Sequence, residues 1–421
     1  MEYRKRIVDS TLDLYLKTIG AVIIEGAKWC GKTTTGTFFA KSILKMHDPK
    51  NIANNIMLAK SDPGILLHGD TPRLVDEWQL APVLWDAVRF EVDERGKFGQ
   101  FILTGSAKPV DFADVHHTGT GRIARLLMRP MSLYESGDSN GQISLRELFS
   151  GGGKISGQNL TDLNQIAYLI CRGGWPQSLT LEKELALIQP RHYYDSIVNG
   201  EVEEGDGVRR DATRMKLLLK SYARHVATQV KFNTILEDLQ ANTTISMSTL
   251  TSYVDYLRKI FVIEDGTAWN PNLRSSTAIR TGNTRYFTDP AIATAALGVG
   301  PGDLVMDFRT MGLLFENLCI RDLRVYAQAN DGEVYHYRDR NGLECDAIIH
   351  LRNGKYGLVE IKLASEDLIE QGVENLNKLN KILATDKIGE PCFKMVVVGA
   401  GEYAYRRKDG VHIVPIRCLK D

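Results

Sequence analysis

No sign of charge dominates this chain, since 52 Lys and Arg balance 52 Asp and Glu among 421 residues. Bulk electrostatics therefore gives no reason to bind nucleic acid, and any such contact has to come from a local patch. Long apolar runs are also missing. The longest, such as Met395–Ala400, are far too short to cross a bilayer. Six scattered cysteines (30, 171, 319, 345, 392 and 418) include no Cys-x-x-Cys pair, which argues against a disulfide framework and against a zinc knot. Only 13 prolines, with 43% hydrophobic residues and a mean hydropathy of −0.20, exclude both a membrane protein and a largely disordered chain. Met1–Arg6 lead into an amphipathic segment and not an apolar one. The expectation is thus a cytoplasmic protein without a secretory signal. No internal repeat or low-complexity tract occurs, and at roughly 100–200 residues per domain the length allows two to four domains.

What is present falls into three stretches. The apolar run Ala21–Glu25, a Gly-rich turn and a helix-compatible segment Thr33–Leu44 are followed by strand-like Arg73–Asp76 and Phe101–Thr104. Strands and helices alternating in this way predict a parallel sheet covered by helices. Around Ser136–Gln158 the composition turns to Gly, Ser and Asn, which reads as a loop near the end of the first domain. From Arg214 on, Met215, Leu218, Leu219, Tyr222 and Val226 recur at helical spacing, and Phe232–Leu239 makes a second short helix. Ser246–Ser248 cap a third helix with Leu250, Tyr253, Leu257 and Phe261 on one face, and strand-like Val262–Glu264 follow. Three helices and a ribbon fit either a winged-helix module or a plain helical bundle. Finally, a helix at Met311–Gln328, strands at Val334–Arg338, Asp346–Leu351 and Gly357–Leu363, a helix from about Asp367 and a strand at Met395–Val398 form an α/β unit of their own.

Gly26-Ala-Lys-Trp-Cys-Gly31-Lys32-Thr33 fulfils Gly-x-x-x-x-Gly-Lys-Thr between an apolar strand and a helix. Glycines let such a loop curl its N–H groups around a phosphate, and the helix N-terminus adds positive potential. ATP is therefore the expected cofactor. Gly26, Gly31, Lys32, Thr33 and Thr34 would bind it, Lys32 reaching the β- and γ-phosphates and Thr33 ligating Mg²⁺. Asp76 at the end of the next strand would complete the Mg²⁺ shell, and Glu77 would orient or deprotonate the attacking water; a solvated Asp-Glu loop is the bland alternative. Thr104, or failing that Ser106, could sense the γ-phosphate. Arg122 and Arg125 could act as a finger in cis or from a neighbouring subunit, or simply be two basic residues on a surface helix. Cys30 is either an inert loop filler or a thiol made reactive by the helix N-terminus.

A second constellation lies near the C-terminus. Asp346 opens an apolar strand, and Glu360 and Lys362 sit two apart on the next, hence on one face. A three-residue loop Arg352–Gly354 sets Asp346 opposite Glu360. A two-residue Asn353-Gly354 turn would set it opposite Ile361 and split the carboxylates across the sheet. The three-residue loop is the expectation. Two adjacent carboxylates repel and are costly to bury without a cation. Asp346 and Glu360 thus suit Mg²⁺ or Mn²⁺, with Lys362 placed to stabilise charge on an attacked phosphate and Glu316 as a fourth member. A surface salt bridge is the simpler alternative.

Taken together these residues resemble prokaryotic P-loop ATPases of the AAA/STAND-related type, whose C-terminal half is a domain of unknown function ending in a Holliday-junction-resolvase-like nuclease fold. The likeness runs over nearly the whole chain through Gly26–Thr33, Pro72–Gln79, Leu103–Ser106, Gly121–Arg122, Arg129–Leu133, Gly173–Pro176 and Phe287–Pro290. The C-terminal part is similar to the PD-(D/E)xK pattern, without its Pro before Asp346. The resemblance implies metal ligation by Asp346 and Glu360, catalysis by Lys362, a helix-borne acid at Glu316 and a further match at Gln371. It also implies an AAA-like core over 1–136, a helical lid or linker over 137–212, a winged-helix-like module over 213–300 and a nuclease-like domain over 301–421.

The functional expectation is a Mg-dependent ATPase coupled to binding, remodelling or translocation of branched or forked DNA. It would be a homo-oligomer, such as a hexameric ring, that cuts with its C-terminal site. The alternative is an ATP-controlled switch whose nuclease-like domain binds a partner or nucleic acid without cutting. Candidate DNA contacts are Arg209, Arg210, Arg214, Arg224, Lys231, Lys259, Arg274, Arg280 and Arg285, though acidic Glu201–Glu204 interrupt any basic stripe. A solvated charged surface is the ordinary reading of each.

Overall fold

A computed structural model describes residues 3–105, 119–153, 155–199, 210–271, 281–385 and 389–421. Ser106, Arg209, Arg274 and Arg280 lie outside the described residues, as do Glu201–Glu204. The chain divides into two compact units, one of Met1–Pro130 with two short later segments, the other of Met131–Gly200, Asp211–Val254 and Val262–Asp421.

In the first unit, α1 (Asp9–Thr18), β1 (Ala21–Glu25), α2 (Lys32–Phe39), β2 (Ser42–Lys45), β3 (Arg73–Asp76), α3 (Val83–Arg95), β4 (Phe101–Thr104) and β5 (Ile123–Leu127) build the sheet and its main covering helices. The strand order is β2-β3-β4-β1-β5, and every pairing is parallel. Strands buried on both faces read as short continuous apolar runs, as Ala21–Ile24 and Phe101–Thr104 do here. Trp78, Trp85, Val88, Val92, Phe101 and Leu103 pack together in the core on one side. Because all five strands run the same way, the loops after β1, β3 and β4 emerge along one edge.

Two sequence expectations change. The helix from Thr33 stops at Phe39, because Ala40 turns extended and Ser42–Lys45 pair with β3. The basic pair Arg122 and Arg125 is not on a surface helix: Arg125 lies in edge strand β5, paired with β1, and Arg122 immediately precedes that strand.

In the second unit, Ser136–Gln158 is more than a loop. It holds β6 (Ile143–Ser144), a helix at Leu145–Phe149 and β7 (Gly157–Gln158). After helices at Leu163–Arg172, Lys183–Ala186 and Ile188–Asn199 come α4 (Ala212–Arg224), α5 (Phe232–Gln240) and α6 (Met247–Lys259), of which residues 255–259 are counted with the first unit. Antiparallel bridges Ile263–Phe287 and Gly266–Thr284 then form a ribbon, joined by Ala227 and Thr228 through backbone hydrogen bonds to Arg285. The 22-residue α7 (Phe308–Ala329) is followed by β8 (Gly332–Arg338), β9 (Glu344–Leu351), β10 (Tyr356–Lys362), α8 (Glu366–Thr385), β11 (Phe393–Val398), β12 (Tyr403–Arg406) and β13 (His412–Pro415). They make a mixed sheet in the order β7-β12-β13-β11-β10-β9-β8, and β14 (Leu419–Lys420) pairs with β6. Val373, Leu376, Leu379 and Leu383 of α8 form one apolar stripe that seals Ile348, Leu358, Val396 and Val398 of the sheet.

Candidate functional sites

The loop after β1 is shaped by its glycines. Gly26 has φ 150° and Gly31 has φ 106°, values that favour glycine. A Cβ on Gly26 would also run into the Met128 carbonyl. Lys32 is buried, and its ammonium donates to the Gly26 and Ala27 carbonyls at 2.9 and 2.8 Å. It folds back over the loop it belongs to. Thr33 Oγ1 donates to Asp76 Oδ1 at 2.8 Å, and Thr34 is exposed beside it. The hydroxyl and carboxylate oxygens form a hard-oxygen pair of the kind Mg²⁺ prefers, at the mouth of the phosphate loop.

Thr104 is fully buried, and its hydroxyl donates to the same Asp76 Oδ1 at 2.7 Å. It therefore braces Asp76, where the sequence had suggested a sensor facing the γ-phosphate. Glu77 follows in a left-handed conformation, φ 56°. This turns its side chain away from the strand direction, and its carboxylate accepts from the Gln79 amide. His47 Nδ1 lies 3.8 Å from Asp76 Oδ2.

Arg122 and Arg125 require correction as a finger in cis. Arg122 precedes β5, its carbonyl bonded to the Ala21 amide at the start of β1. Arg125 stands level with Ile23. Arg122 therefore leaves the sheet at the edge opposite its loops, and Arg125 leaves near the middle with its guanidinium turned to Glu25 at the end of β1. Arg122 pairs with Asp93 at 2.8 Å, and Arg125 pairs with Glu25 and lies 5.3 Å over the Trp85 ring. Cys30 is buried, its thiol directed at the Met128 carbonyl, which fits the inert loop filler.

Arg6 was invisible as a site residue in sequence. Its guanidinium donates to Cys30 O in the phosphate loop, a contact made across 24 residues by tertiary folding alone.

In the second unit the β9–β10 hairpin has the three-residue loop. Leu351 N donates to Lys355 O and Gly354 N to Leu351 O, with Gly354 at φ 86°. Tyr356 pairs with His350 and Val359 with Ala347, so the next step of that register sets Glu360 opposite Asp346. Lys362 Nζ lies 2.6 Å from Glu360 Oε2 and 3.1 Å from Asp346 Oδ2. Asp346 Oδ2 also accepts from Ile361 N at 2.7 Å. Glu360 is almost fully buried, and its Oε1 has no hydrogen-bond partner. Burial first and the Asp346 charge second push its carboxyl from 4.5 up to about 8. Burial lowers the Lys362 ammonium, but Asp346 and Glu360 outweigh it and hold the group above its usual range.

Glu316 on α7 accepts from the Tyr286 hydroxyl at 2.6 Å, and burial with Asp346 pushes its carboxyl well up. Glu316, Asp346, Tyr286 and His336 line a cavity of about 200 Å³. Among the described residues, no group of three or more His, Cys, Asp and Glu is arranged to hold a metal ion. Two carboxylates bridged by an ammonium form the centre of the cluster, and Glu316 is close enough for Asp346, Lys362 and Glu360 all to act on its carboxyl. α8 closes over them at Gly372, where a Cβ would sit 3.3 Å from Glu360 Cβ and 3.4 Å from Lys362 Cε. Gln371 beside it is exposed.

The expected DNA contacts divide. Arg285 is buried, paired with Asp265 at 2.8 Å and 4.3 Å over the Phe232 ring. Arg210 is buried 4.0 Å over Tyr256. Both are structural cations and are withdrawn as DNA contacts, because a phosphate cannot reach them. Arg224 pairs with Asp238 at 2.9 Å, Arg214 is partly buried, and Lys231 and Lys259 are exposed. The motifs Gly173–Pro176 and Phe287–Pro290 meet through Gly174 N and Asp289 Oδ2 at 2.9 Å, with Arg321 on the same carboxylate oxygen at 2.8 Å. Their role is to hold the second unit together.

Three family models match successive stretches of the chain. Residues 19–137 match the family model of an AAA domain. Residues 163–303 and 311–419 match two domains of unknown function, DUF8612 and DUF4143. Uncharacterized proteins of Mycobacterium tuberculosis and Mycobacterium bovis are each 23% identical over 399 residues, covering 94% of this chain and 79% of theirs. A Walker-type ATPase of Pyrococcus abyssi overlays with a TM-score of 0.42 at 14% identity, covering 68% of this chain and 94% of its own. The matched AAA domain, the phosphate loop and the Asp76 strand end together define a P-loop ATPase unit. No helix among the described residues is long and apolar enough to cross a membrane.

Proposed function

We propose that the chain hydrolyses ATP with Mg²⁺ in its first unit and uses the Asp346–Glu360–Lys362 cluster on a phosphodiester of branched or forked DNA, working as a homo-oligomer. The observation that carries the ATPase half is Asp76 Oδ1 accepting from both Thr33 and Thr104, beside a lysine resting on the loop carbonyls. Mg²⁺, when bound, would neutralise charge on the phosphates. The protein does the rest by position. The loop N–H groups hold phosphate oxygens, and Lys32 swings from the Gly26 and Ala27 carbonyls to the anion. Thr33 and Asp76 would hold the cation. Thr104 keeps the Asp76 carboxylate from rotating, and Glu77 takes the proton of the attacking water or orients it. An arginine finger comes from a neighbouring copy, with exposed Arg122 and Arg125 as the candidates.

For the second half, two hard-oxygen carboxylates with an unpartnered buried Oε1 suit Mg²⁺ or Mn²⁺. Such an ion supplies Lewis acidity toward a phosphate. Lys362 would turn from the carboxylates to negative charge developing on the attacked phosphate. A non-cutting switch is the second reading. It is favoured by the contacts of Lys362 to both acids: with Glu360 holding its proton, one ammonium stands against one carboxylate and the cluster is locally neutral.

The test pairs ATP turnover with cleavage of linear, forked and four-way DNA in Mg²⁺ or Mn²⁺, using wild type, Lys32→Ala and Asp346→Ala. Turnover lost in Lys32→Ala and cutting lost in Asp346→Ala is the expected result. Cutting that survives Asp346→Ala rejects the C-terminal site, and no cutting of any substrate favours the switch.

A further inference from the structure

Arg6 ties three separated segments together. Nη1 donates to Cys30 O and Nη2 to Arg129 O, each at 2.8 Å, and the side chain is buried. Its own segment is anchored. Arg6 N donates to Asp9 Oδ2 at 2.9 Å, and the Tyr3 hydroxyl donates to Asp9 Oδ1 at 2.7 Å. The Tyr3 hydroxyl also lies 3.0 Å from Thr35 Oγ1 on α2, and the Tyr3 ring stacks on Phe38 with centroids 4.1 Å apart. Arg6 therefore approaches the phosphate loop from a fixed base and not from a loose tail.

The carbonyl it holds matters stereochemically. In a planar trans peptide the C=O of one residue and the N–H of the next point in opposite directions. Fixing the Cys30 carbonyl thus fixes the direction of the Gly31 N–H, the donor at the cap of α2. Glycine at φ 106° has no side chain to enforce that orientation, so an outside constraint has to. The second carbonyl, Arg129 O, lies next to Met128, whose own carbonyl accepts from the Cys30 thiol at 3.4 Å. The fork thereby clamps the loop against the segment after β5, and a buried guanidinium adds positive potential beside an anion site.

We infer that Arg6 is a positioning residue for the phosphate loop: it holds the Cys30–Gly31 peptide so that the Gly31 N–H faces a bound phosphate. This rests on the ATPase reading above. The test uses the full chain and measures MgATP and MgADP affinity by calorimetry for wild type, Arg6→Ala and Arg6→Lys, with nucleotide-free melting curves alongside. Arg6→Ala is expected to weaken both nucleotides by about tenfold, the effect of one charge-assisted hydrogen bond in the site. Low concentrations of guanidinium ion should recover part of that loss in Arg6→Ala and none in wild type. Arg6→Lys, whose single ammonium cannot span both carbonyls, should bind about threefold or more weakly than wild type. A lower melting temperature with unchanged affinity overturns the inference, because a merely structural residue would behave so. If Arg6→Ala does not fold, Arg6→Lys decides, and wild-type affinity in that variant overturns it. Absence of MgATP binding in wild type sinks the ATPase reading itself, which separates the two failures.

Discussion

Thr104 and Thr33 donate to one and the same oxygen, Asp76 Oδ1, at 2.7 and 2.8 Å. One comes from the end of β4 and the other from the first turn of α2, so the carboxylate is held from two sides. Replacing Thr104 by Val removes one donor without changing the shape much. ATP affinity should stay close to wild type while kcat falls by about tenfold, the worth of one hydrogen bond to a charged group. Steady-state kinetics beside a binding titration checks it; an unchanged kcat would show that Asp76 needs no brace.

Gly26→Ala should be far more damaging than its size suggests. Its φ of 150° is unfavourable for alanine, and the new methyl would strike the Met128 carbonyl. Nucleotide binding should be lost while far-UV circular dichroism stays near wild type.

Stability should depend on pH through Glu360 and His336. Glu360, raised from 4.5 to about 8, holds its proton more tightly when folded. Its contribution is full below pH 4.5 and disappears as pH rises through about 8. His336, lowered by burial from 6.5 to about 4, is kept neutral. Its contribution is full above pH 6.5 and disappears as pH falls through about 4. Melting temperature should therefore drop on both sides of an intermediate optimum, and Glu360→Gln should lessen the alkaline drop while leaving the acid side unchanged, with Glu316, raised likewise, keeping the remainder. A wild-type curve that is flat up to pH 8 would contradict this.

Gly372→Leu places a side chain against Glu360 and Lys362. Prising α8 off β10 should cost about 1–3 kcal/mol by overpacking, read from chemical denaturation.

Arg285→Ala should destabilise by about 3–5 kcal/mol, because it leaves Asp265 buried without its cation. Lys231→Ala and Lys259→Ala should leave stability unchanged. If the exposed lysines contact DNA, each should reduce the salt dependence of binding by about one counterion.

Much of the first unit could be read directly from the amino-acid order. A phosphate loop needs its glycines, lysine and threonine at fixed spacing within one strand–turn–helix, so Gly26–Thr33 declare it locally. The β9–β10 register was equally legible, since hairpin pairing follows from loop length alone. Strand β5 was not. Arg125 within it and Arg122 just before it look like a helix surface until pairing with β1 is known, because an edge strand exposes polar residues.

Order along the chain thus determined the nucleotide loop, the acid at the end of β3 and the facing of Asp346 and Glu360, all of which depend on neighbours within a turn or a hairpin. Only the tertiary structure decided that Thr104 serves Asp76, that Arg285 is an internal cation and that Arg6 reaches Cys30. Those contacts join segments 20 or more residues apart, and no local periodicity records which distant partner a buried polar group must find to offset its desolvation.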